Sequence, residues 1–337
     1  MESSAQKKLK VLFIGGTERA LITFRSLLER KDIELVLAIF MPGYPDERTY
    51  AESLEGLAQA QQIPYAISDK VEEELLQKAK AAQPDVILGG GVWRSYLPTE
   101  FLDFSAHGYL GLHGSGLPRY RGWAGLSWYL INGEPEYEMR MLQLNAEYDA
   151  GPLVANEKGE PLEYRISLQN EWHLAELMQK AHEVTVNALH ETIDLLLSGK
   201  FQLVPQDATQ ASYTCHRGPE DGEIDWTQTT REVFNFIRAQ SAPYPGAYTY
   251  FRGEKVHLWR VQPAPELSNY IGRIPGKVVE RDSENRQVVI LTQDSGIRVL
   301  EAACKVKDLH DPYLIFNSVR HKCKDRVNAY LDKIGYD

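Results

Sequence analysis

Two short stretches hold the residue types that can move a proton beside a carbonyl. The first is Leu110-Gly111-Leu112-His113-Gly114-Ser115-Gly116-Leu117-Pro118-Arg119-Tyr120-Arg121-Gly122. An apolar run ends in a histidine and then breaks into glycines and a proline, the pattern of a strand emptying into a loop with His113 at its mouth. Loops set on a rigid sheet commonly carry chemistry. The second stretch is Glu147-Tyr148-Asp149-Ala150-Gly151, an Asp in a turn ahead of another apolar run, Pro152-Leu153-Val154. A His and an Asp on neighbouring loops can share a hydrogen bond, which sets the imidazole tautomer and raises its affinity for a proton. General acid–base work is the chemistry such a pair would do. A loop histidine with an ordinary hydrogen bond is the plainer alternative.

Positioning the two loops requires a sheet. Residues 10–16 read as a buried strand closing on Gly15-Gly16, followed by a helix over 19–30 and a second apolar strand over 33–40. That is a βαβ opening and implies a parallel sheet. Gly15-Gly16 falls short of a dinucleotide fingerprint and reads as a tight turn. A loop rich in Pro, Gly and charge follows over 41–48, then a helix over 50–62, a short strand over 63–65 and a helix over 71–82. Residues 85–88 give a third buried strand, ending in Gly89-Gly90-Gly91. Three glycines at a strand's carboxyl end suit either a crevice where a flat ligand meets backbone or a flexible turn. The strand over 109–113 then delivers His113.

Beyond it, Leu126, Trp128, Tyr129 and Leu130 predict a helix over 123–132, and alternation predicts strands over 137–144 and 153–158. A long amphipathic helix lies within 171–198; its His173, His182 and His190 read as surface or packing residues. Residues 204–213 are polar with a proline and read as a linker. A helix over 231–240 precedes short strands over 255–261, 276–279, 287–291 and 297–303, a pattern that suits a small β-barrel. The expected fold class is α/β: a Rossmann-like, mostly parallel sheet domain over 1–203, a linker over 204–214, a small OB-like β-barrel over 215–310 and a partly helical tail over 311–337.

The bulk numbers narrow the function classes. A chain of 337 residues has room for two ordinary domains. The net charge of -10 argues mildly against a phosphate-tracking surface. Cys215, Cys304 and Cys323 match no zinc signature, and an odd count does not suggest a disulfide framework, so they read as buried or idle thiols. No His, Cys and carboxylate cluster has convincing metal spacing, and no metal is expected. The polar start of the chain lacks the apolar core of a signal peptide, and no apolar run approaches a membrane span, so a cytoplasmic location is expected.

The run His-x-Ser-x-Leu-Pro-x-Tyr-Arg-Gly followed by Asp-x-Gly resembles the folate-dependent formyltransferases. So do Arg217-Gly218-Pro219-Glu220-Asp221-Gly222-Glu223-Ile224-Asp225-Trp226 and Ala242-Pro243-Tyr244-Pro245-Gly246-Ala247-Tyr248 in the second half. The resemblance implies transfer of a formyl group from 10-formyltetrahydrofolate to an amine, with His113 as base or proton shuttle and Asp149 orienting it. It implies that Ser95, Tyr96 and Leu97 offer backbone groups to the pterin ring and that Asn145, Ala146, Glu147 and Tyr148 form a folate loop. Ser115 takes a structural role, and Arg121 and Gly122 complete the catalytic loop. Trp123 stands near the folate in this scheme, where a lipid A-modifying relative carries an arginine; stacking on a ring or simple packing are both open to it.

One position departs from the family pattern. The family reads Asn-x-His, and here the Asn position is Gly111. The family Asn holds the formyl oxygen, and a missing oxyanion donor typically costs about two to four kcal/mol of barrier. Another group takes over that role, or the protein is a folate-binding relative that does not formylate. Residues 125–134 resemble the helix of sugar-amine formyltransferases, and the short, mixed-charge segment over 41–54 lacks the basic insertion of methionyl-tRNA formyltransferases. The expected acceptor is therefore a small amine, foremost a nucleotide-linked amino sugar; an amino acid or another specialised metabolite comes next, and methionyl-tRNA third. The second domain is left to bind substrate, position a partner or mediate a homodimer. Neither nucleic acid nor membrane is an expected partner.

Overall fold

The computed structural model describes residues 7–43, 50–91, 93 and 95–334. Most of the charged loop expected over 41–48, and Val92 and Arg94 ahead of Ser95, lie outside the described residues. The chain begins β1 (Leu9–Gly15), α1 (Glu18–Leu28), β2 (Ile33–Phe40), α2 (Ala51–Ala60), β3 (Tyr65–Ile67), α3 (Glu73–Ala81) and β4 (Val86–Gly89). It continues α4 (Thr99–Asp103), β5 (Tyr109–His113), β6 (Arg121–Gly122), α5 (Gly125–Ile131), β7 (Glu136–Gln143), β8 (Leu153–Ala155) and β9 (Glu163–Ser167). After these come α6 (Leu174–Ser198), β10 (Gln202–Val204), β11 (Tyr213–Thr214), α7 (Thr230–Arg238), β12 (Ala247–Phe251) and β13 (Glu254–Pro263). The last elements are β14 (Val278–Asp282), β15 (Gln287–Leu291), β16 (Gly296–Ala303), α8 (Pro312–Ile315), β17 (Cys323–Lys324) and α9 (Arg326–Lys333).

Two compact units result, the first made of Met1–Gly122, Glu138–Ile166 and Lys180–Tyr213. Its sheet has the order β10-β8-β7-β5-β4-β1-β2-β3, with β9 on β7. The strands from β3 through β2, β1 and β4 to β5 are parallel. β7, β8 and β10 join antiparallel. The mostly parallel α/β domain expected from the sequence is what forms. Leu12 and Ile14 of β1 pack with Leu37, Ile39, Leu76, Ile87 and Phe101. Phe13, pointing the other way, meets Phe24 of α1 at 5.0 Å between ring centroids, and Phe24 meets Phe40 at 5.4 Å. Burial on both faces is why β1 and β2 read as continuous apolar runs instead of alternating. α1 starts where Thr17 Oγ1 accepts the Ala20 backbone N–H at 3.4 Å, with Glu18 in its first turn.

The three glycines that close and follow β4 sit close against neighbouring side chains. A Cβ at Gly89 would come within 2.7 Å of the Tyr109 ring, one at Gly90 would run into the Phe13 ring, and one at Gly91 would meet Thr17 Oγ1 at 2.6 Å. The missing side chains make room for neighbouring residues of the chain itself.

Several local expectations change. The strand expected over 153–158 stops at Ala155, because Asn156 Oδ1 accepts the N–H groups of Lys158 and Glu160 and turns the chain. The segment expected as a linker is bonded along its length within the first unit. Val204 pairs with Leu153 at the end of β10 on the sheet edge. Ser212 Oγ accepts the Tyr120 N–H at 3.0 Å, and the Ser212 carbonyl accepts the Arg121 N–H at 2.8 Å. A polar composition with a proline describes a linker and a strap equally well; only contacts separate them.

The second unit comprises Trp123–Tyr137, Ser167–Gln179 and Thr214–Asp337. Its six-stranded antiparallel sheet has the order β14-β15-β16-β13-β12-β17. The ends of that order approach each other: Lys277 bridges Lys322, and the Cys323 N–H donates to the Gly276 carbonyl at 2.8 Å. The sheet thus curls into the small barrel-like domain expected. Val256, Leu258, Val261, Ile290, Ile297 and Val299 line its interior with Val233, Phe234 and Ile237 of α7. α7 starts on a reciprocal cap: Glu232 N–H donates to Thr229 Oγ1 and Thr229 N–H to Glu232 Oε2. Residues 123–137 and 167–179, assigned by sequence to the first domain, cluster with this unit. Ser127 Oγ donates to the Ala239 carbonyl, and the buried Arg238 guanidinium donates to the carbonyls of Gln169, Asn170 and Trp172. The tail expected as partly helical supplies α8, β17 and α9.

Candidate active site

β5 is buried until its last residue and delivers His113 to the carboxyl end of the parallel sheet. Asp149 sits in the turn between β7 and β8 with φ of 49°, a left-handed conformation that Asp tolerates better than most residues. Nδ1 of His113 lies 3.5 Å from Oδ1 of Asp149, with the two side chains 16% and 22% exposed. The second carboxylate oxygen, Oδ2, accepts the Gly122 backbone N–H at 2.7 Å. Nε2 of His113 faces the Tyr120 carbonyl oxygen at 3.3 Å.

That arrangement limits the tautomers open to His113. A neutral imidazole has one N–H and cannot donate to both oxygens. The tautomer with the hydrogen on Nδ1 serves the Asp149 contact and leaves Nε2 as the basic nitrogen. A proton gained at Nε2 would find the Tyr120 carbonyl already in place to accept a hydrogen bond from it. Beneath the site Tyr109 is buried at the start of β5, and burial pushes its phenol well above the ordinary value, so it stays protonated.

Gly111 pairs with Gly89 on one side and Leu142 on the other. A Cβ there would stand 3.0 Å from Leu144 Cδ1, so a leucine borders the position where the family carries an asparagine side chain. Ser115 is fully buried and its Oγ donates to the Arg119 carbonyl at 3.0 Å, a bond that closes the turn after His113. Arg121 is 5% exposed; its Nε and Nη2 donate to Gln206 Oε1 at 3.1 and 2.8 Å.

Of the residues expected near folate, Leu97 is buried in a core cluster against which Leu144 also packs, so only its backbone is free for a ligand. Ser95 is half-buried and Tyr96 is 77% exposed. Asn145, Ala146, Glu147 and Tyr148 are surface residues, their turn set by Asn145 Oδ1 accepting the Glu147 N–H at 3.1 Å. Trp123 falls in the second unit, where its ring meets His216 edge-on at 5.4 Å and its carbonyl accepts from Thr214 Oγ1 at 2.8 Å. The structure therefore brings His113, Asp149, Arg121 and Gly122 into one bonded group and gives Trp123 a packing partner.

Two residues escaped the sequence reading. Gln206 bridges both motifs. Arg140 stands opposite His113 in the β5–β7 register and pairs with Glu163 at 2.5 Å. Neither carries a spacing signal. His173 and His190 take the packing roles expected: His173 Nε2 accepts the Val261 N–H, and His190 contacts Ser26 and Arg30. Among the described residues no group of three or more His, Cys, Asp or Glu could hold a metal ion, and no helix is long and apolar enough to cross a membrane.

Comparison with known proteins follows this geometry. A family model described as formyl transferase matches residues 12–193, and one for the formyl transferase C-terminal domain matches residues 218–320. The methionyl-tRNA formyltransferase of Geobacter sulfurreducens is 31% identical over 275 residues, spanning 80% of this chain and 82% of that one. Two solved structures share the fold. HypX from Aquifex aeolicus, solved with tetrahydrofolic acid, is 20% identical with a TM-score of 0.58 over 91% of this chain, which spans about half of HypX at 46%. An N-formyltransferase from Helicobacter canadensis, solved with folinic acid and dTDP-3-aminofucose, is 14% identical with a TM-score of 0.61 over 86% of this chain and 98% of that one.

Proposed function

Because this chain belongs to the formyl transferase family, we propose that it moves a formyl group from 10-formyltetrahydrofolate to the amine of a small substrate, foremost a nucleotide-linked amino sugar. The observation that carries the reading is the His113–Asp149 pair, set 3.5 Å apart at the carboxyl end of β5 with the carboxylate fixed by Gly122.

The reaction needs a base and a route for one proton. The acceptor nitrogen attacks the formyl carbon, and an oxyanion forms. The new C–N bond is kept while the bond from the formyl carbon to N10 of the folate breaks. The proton lost by the attacking nitrogen goes to Nε2 of His113 and from there to the departing N10. Asp149 stabilises the ring while it carries that proton, the role of the carboxylate in other His–Asp pairs. Backbone groups of residues 95–97 and the turn over 145–148 are the parts of this chain assigned to the folate. Gly111 has no side chain to hold the formyl oxygen, so in this scheme another group meets its charge.

Methionyl-tRNA is the second reading, favoured by the identity to the Geobacter enzyme. Against it stand the net charge of -10 and the mixed charges of residues 41–54. One assay separates the two. Purified protein is given 10-formyltetrahydrofolate with dTDP- and UDP-linked amino sugars, free amino acids or charged methionyl-tRNA, and formylated product is read by mass. Product from amino sugars alone supports the proposal. Product from methionyl-tRNA alone replaces the acceptor, and no product from any amine, with no binding of 5-formyltetrahydrofolate, sinks the formyl-transfer reading.

A further inference from the structure

We infer that Gln206 is a positioning residue for the His113–Asp149 pair, an inference that rests on the proposed reaction for its consequence in turnover. Its carboxamide is fully used. Nε2 donates to the Asp149 carbonyl at 2.8 Å and to the Gly151 carbonyl at 2.7 Å. Oε1 accepts from Arg121 Nε and Nη2. A carboxamide offers two N–H groups and two lone pairs, and all four are engaged. The orientation is unambiguous: exchanging oxygen and nitrogen would set N–H groups against a guanidinium and an oxygen against two carbonyls.

The bonds meet at the site from both sides. Gln206 grips the backbone of the residue whose carboxylate faces His113, within a turn whose Asp149 has a left-handed φ of 49°. It also grips the side chain of Arg121, whose neighbour Gly122 supplies the N–H that aims that carboxylate. One amide thus sets the Asp149 turn and the β6 backbone in a common frame. Without it the two can drift independently, and the 3.5 Å approach to His113 is no longer specified. Displacements of about 1 Å at such a site cost on the order of a hundredfold in rate. Gln206 lies in the stretch that reads from sequence as a linker, Val204-Pro205-Gln206-Asp207, where nothing but tertiary contact reveals its part.

The test follows the Nδ1 proton of the His113 imidazole by proton and nitrogen-15 NMR at one fixed pH in the full-length chain. Wild type is compared with Asp149→Asn, Gln206→Met and Gln206→Glu. Glu keeps an acceptor for Arg121 but turns a carboxylate oxygen toward two carbonyls, so it is expected to behave as Met does. A hydrogen bond to a carboxylate moves that proton downfield, and Asp149→Asn, which turns an NH2 group toward Nδ1, is expected to abolish the signal. Gln206→Met is expected to move it clearly upfield of its wild-type position, and to cut kcat roughly ten- to a hundredfold with the KM for the formyl donor little changed. Thr229→Ala, which weakens the α7 cap, controls for stability and should leave the resonance where it is. If both Gln206 variants fold and keep the wild-type resonance, the inference is overturned; if the Met variant fails to fold, the Glu variant decides. The NMR arm needs no substrate, so a wild type that formylates nothing refutes the proposed reaction without touching this result.

Discussion

The Gly122 N–H and Asp149 Oδ2 meet at 2.7 Å, and that bond turns the other carboxylate oxygen toward Nδ1 of His113. A backbone donor cannot rotate away as a side chain can. The carboxylate is therefore aimed by the chain itself, and the histidine receives a fixed partner instead of one rotamer among several.

Replacing Asp149 with Asn keeps an oxygen for Gly122 and the tolerance for positive φ, removes the charge and turns an NH2 donor toward Nδ1 of His113 in place of the acceptor. The expected loss in kcat is on the order of 10²- to 10⁴-fold, with donor binding retained. Steady-state formylation together with calorimetry of 5-formyltetrahydrofolate checks it. A loss under tenfold would mean that the histidine works without its partner.

His113→Gln is expected to fall as far in kcat as Asp149→Asn, and the double variant little further, because the two act as a unit. Independent, multiplicative losses in the double variant would separate their roles.

Gly111→Asn is expected to destabilise the first unit and to give no gain in rate. Its Cβ would press on Leu144 Cδ1 at 3.0 Å, and overpacking of this kind costs about 1–3 kcal/mol. Adding Leu144→Ala should recover part of that loss, a coupling that urea unfolding of the four members of the cycle would read. Additive effects would show that the glycine and the leucine do not share that space. A rise in rate in the single variant would mark Gly111 as a defect.

Stability should fall as pH drops from about 7 toward 4, before the carboxylates titrate. In the second unit burial holds the His173 imidazole below its ordinary value, and burial with Lys255 and Lys305 pushes His257 down to about 4. A folded value below the unfolded one means that the unfolded chain takes the proton first. The stabilisation is thus whole above the unfolded value and lost as pH falls toward the folded one. His173 also accepts the Val261 N–H through Nε2, a bond its protonation removes. Urea midpoints measured from pH 7.5 to 4.5 should decline, and His257→Asn should flatten the decline. An unchanged slope in that variant would assign the effect elsewhere.

The order of strands and helices could be read from the chain because it follows from local patterning. β1, β4 and β5 are apolar runs closed by glycine or followed by it, β2 is an apolar run ahead of a loop, and α1 and α7 fall where helices were expected over 19–30 and 231–240. His113 and Asp149 were legible too, since a polar residue where an apolar run breaks has few other reasons to be there. The elements that escaped are short, such as β9 and β10, whose residues pair only because a neighbour lies alongside.

What the sequence determined by itself was the kind of fold, the family and the two candidate side chains, because composition, periodicity and contiguous motifs are properties of neighbouring residues. Tertiary structure alone decided how those side chains are held. The Gly122 donor, the Gln206 bridge, the leucine beside Gly111 and the aromatic rings packed over Gly89 and Gly90 all join residues far apart in the chain. A hydrogen bond between position 206 and position 149 leaves no periodic trace, since its energy depends on where two backbones come to rest and not on the spacing of residue types along one of them.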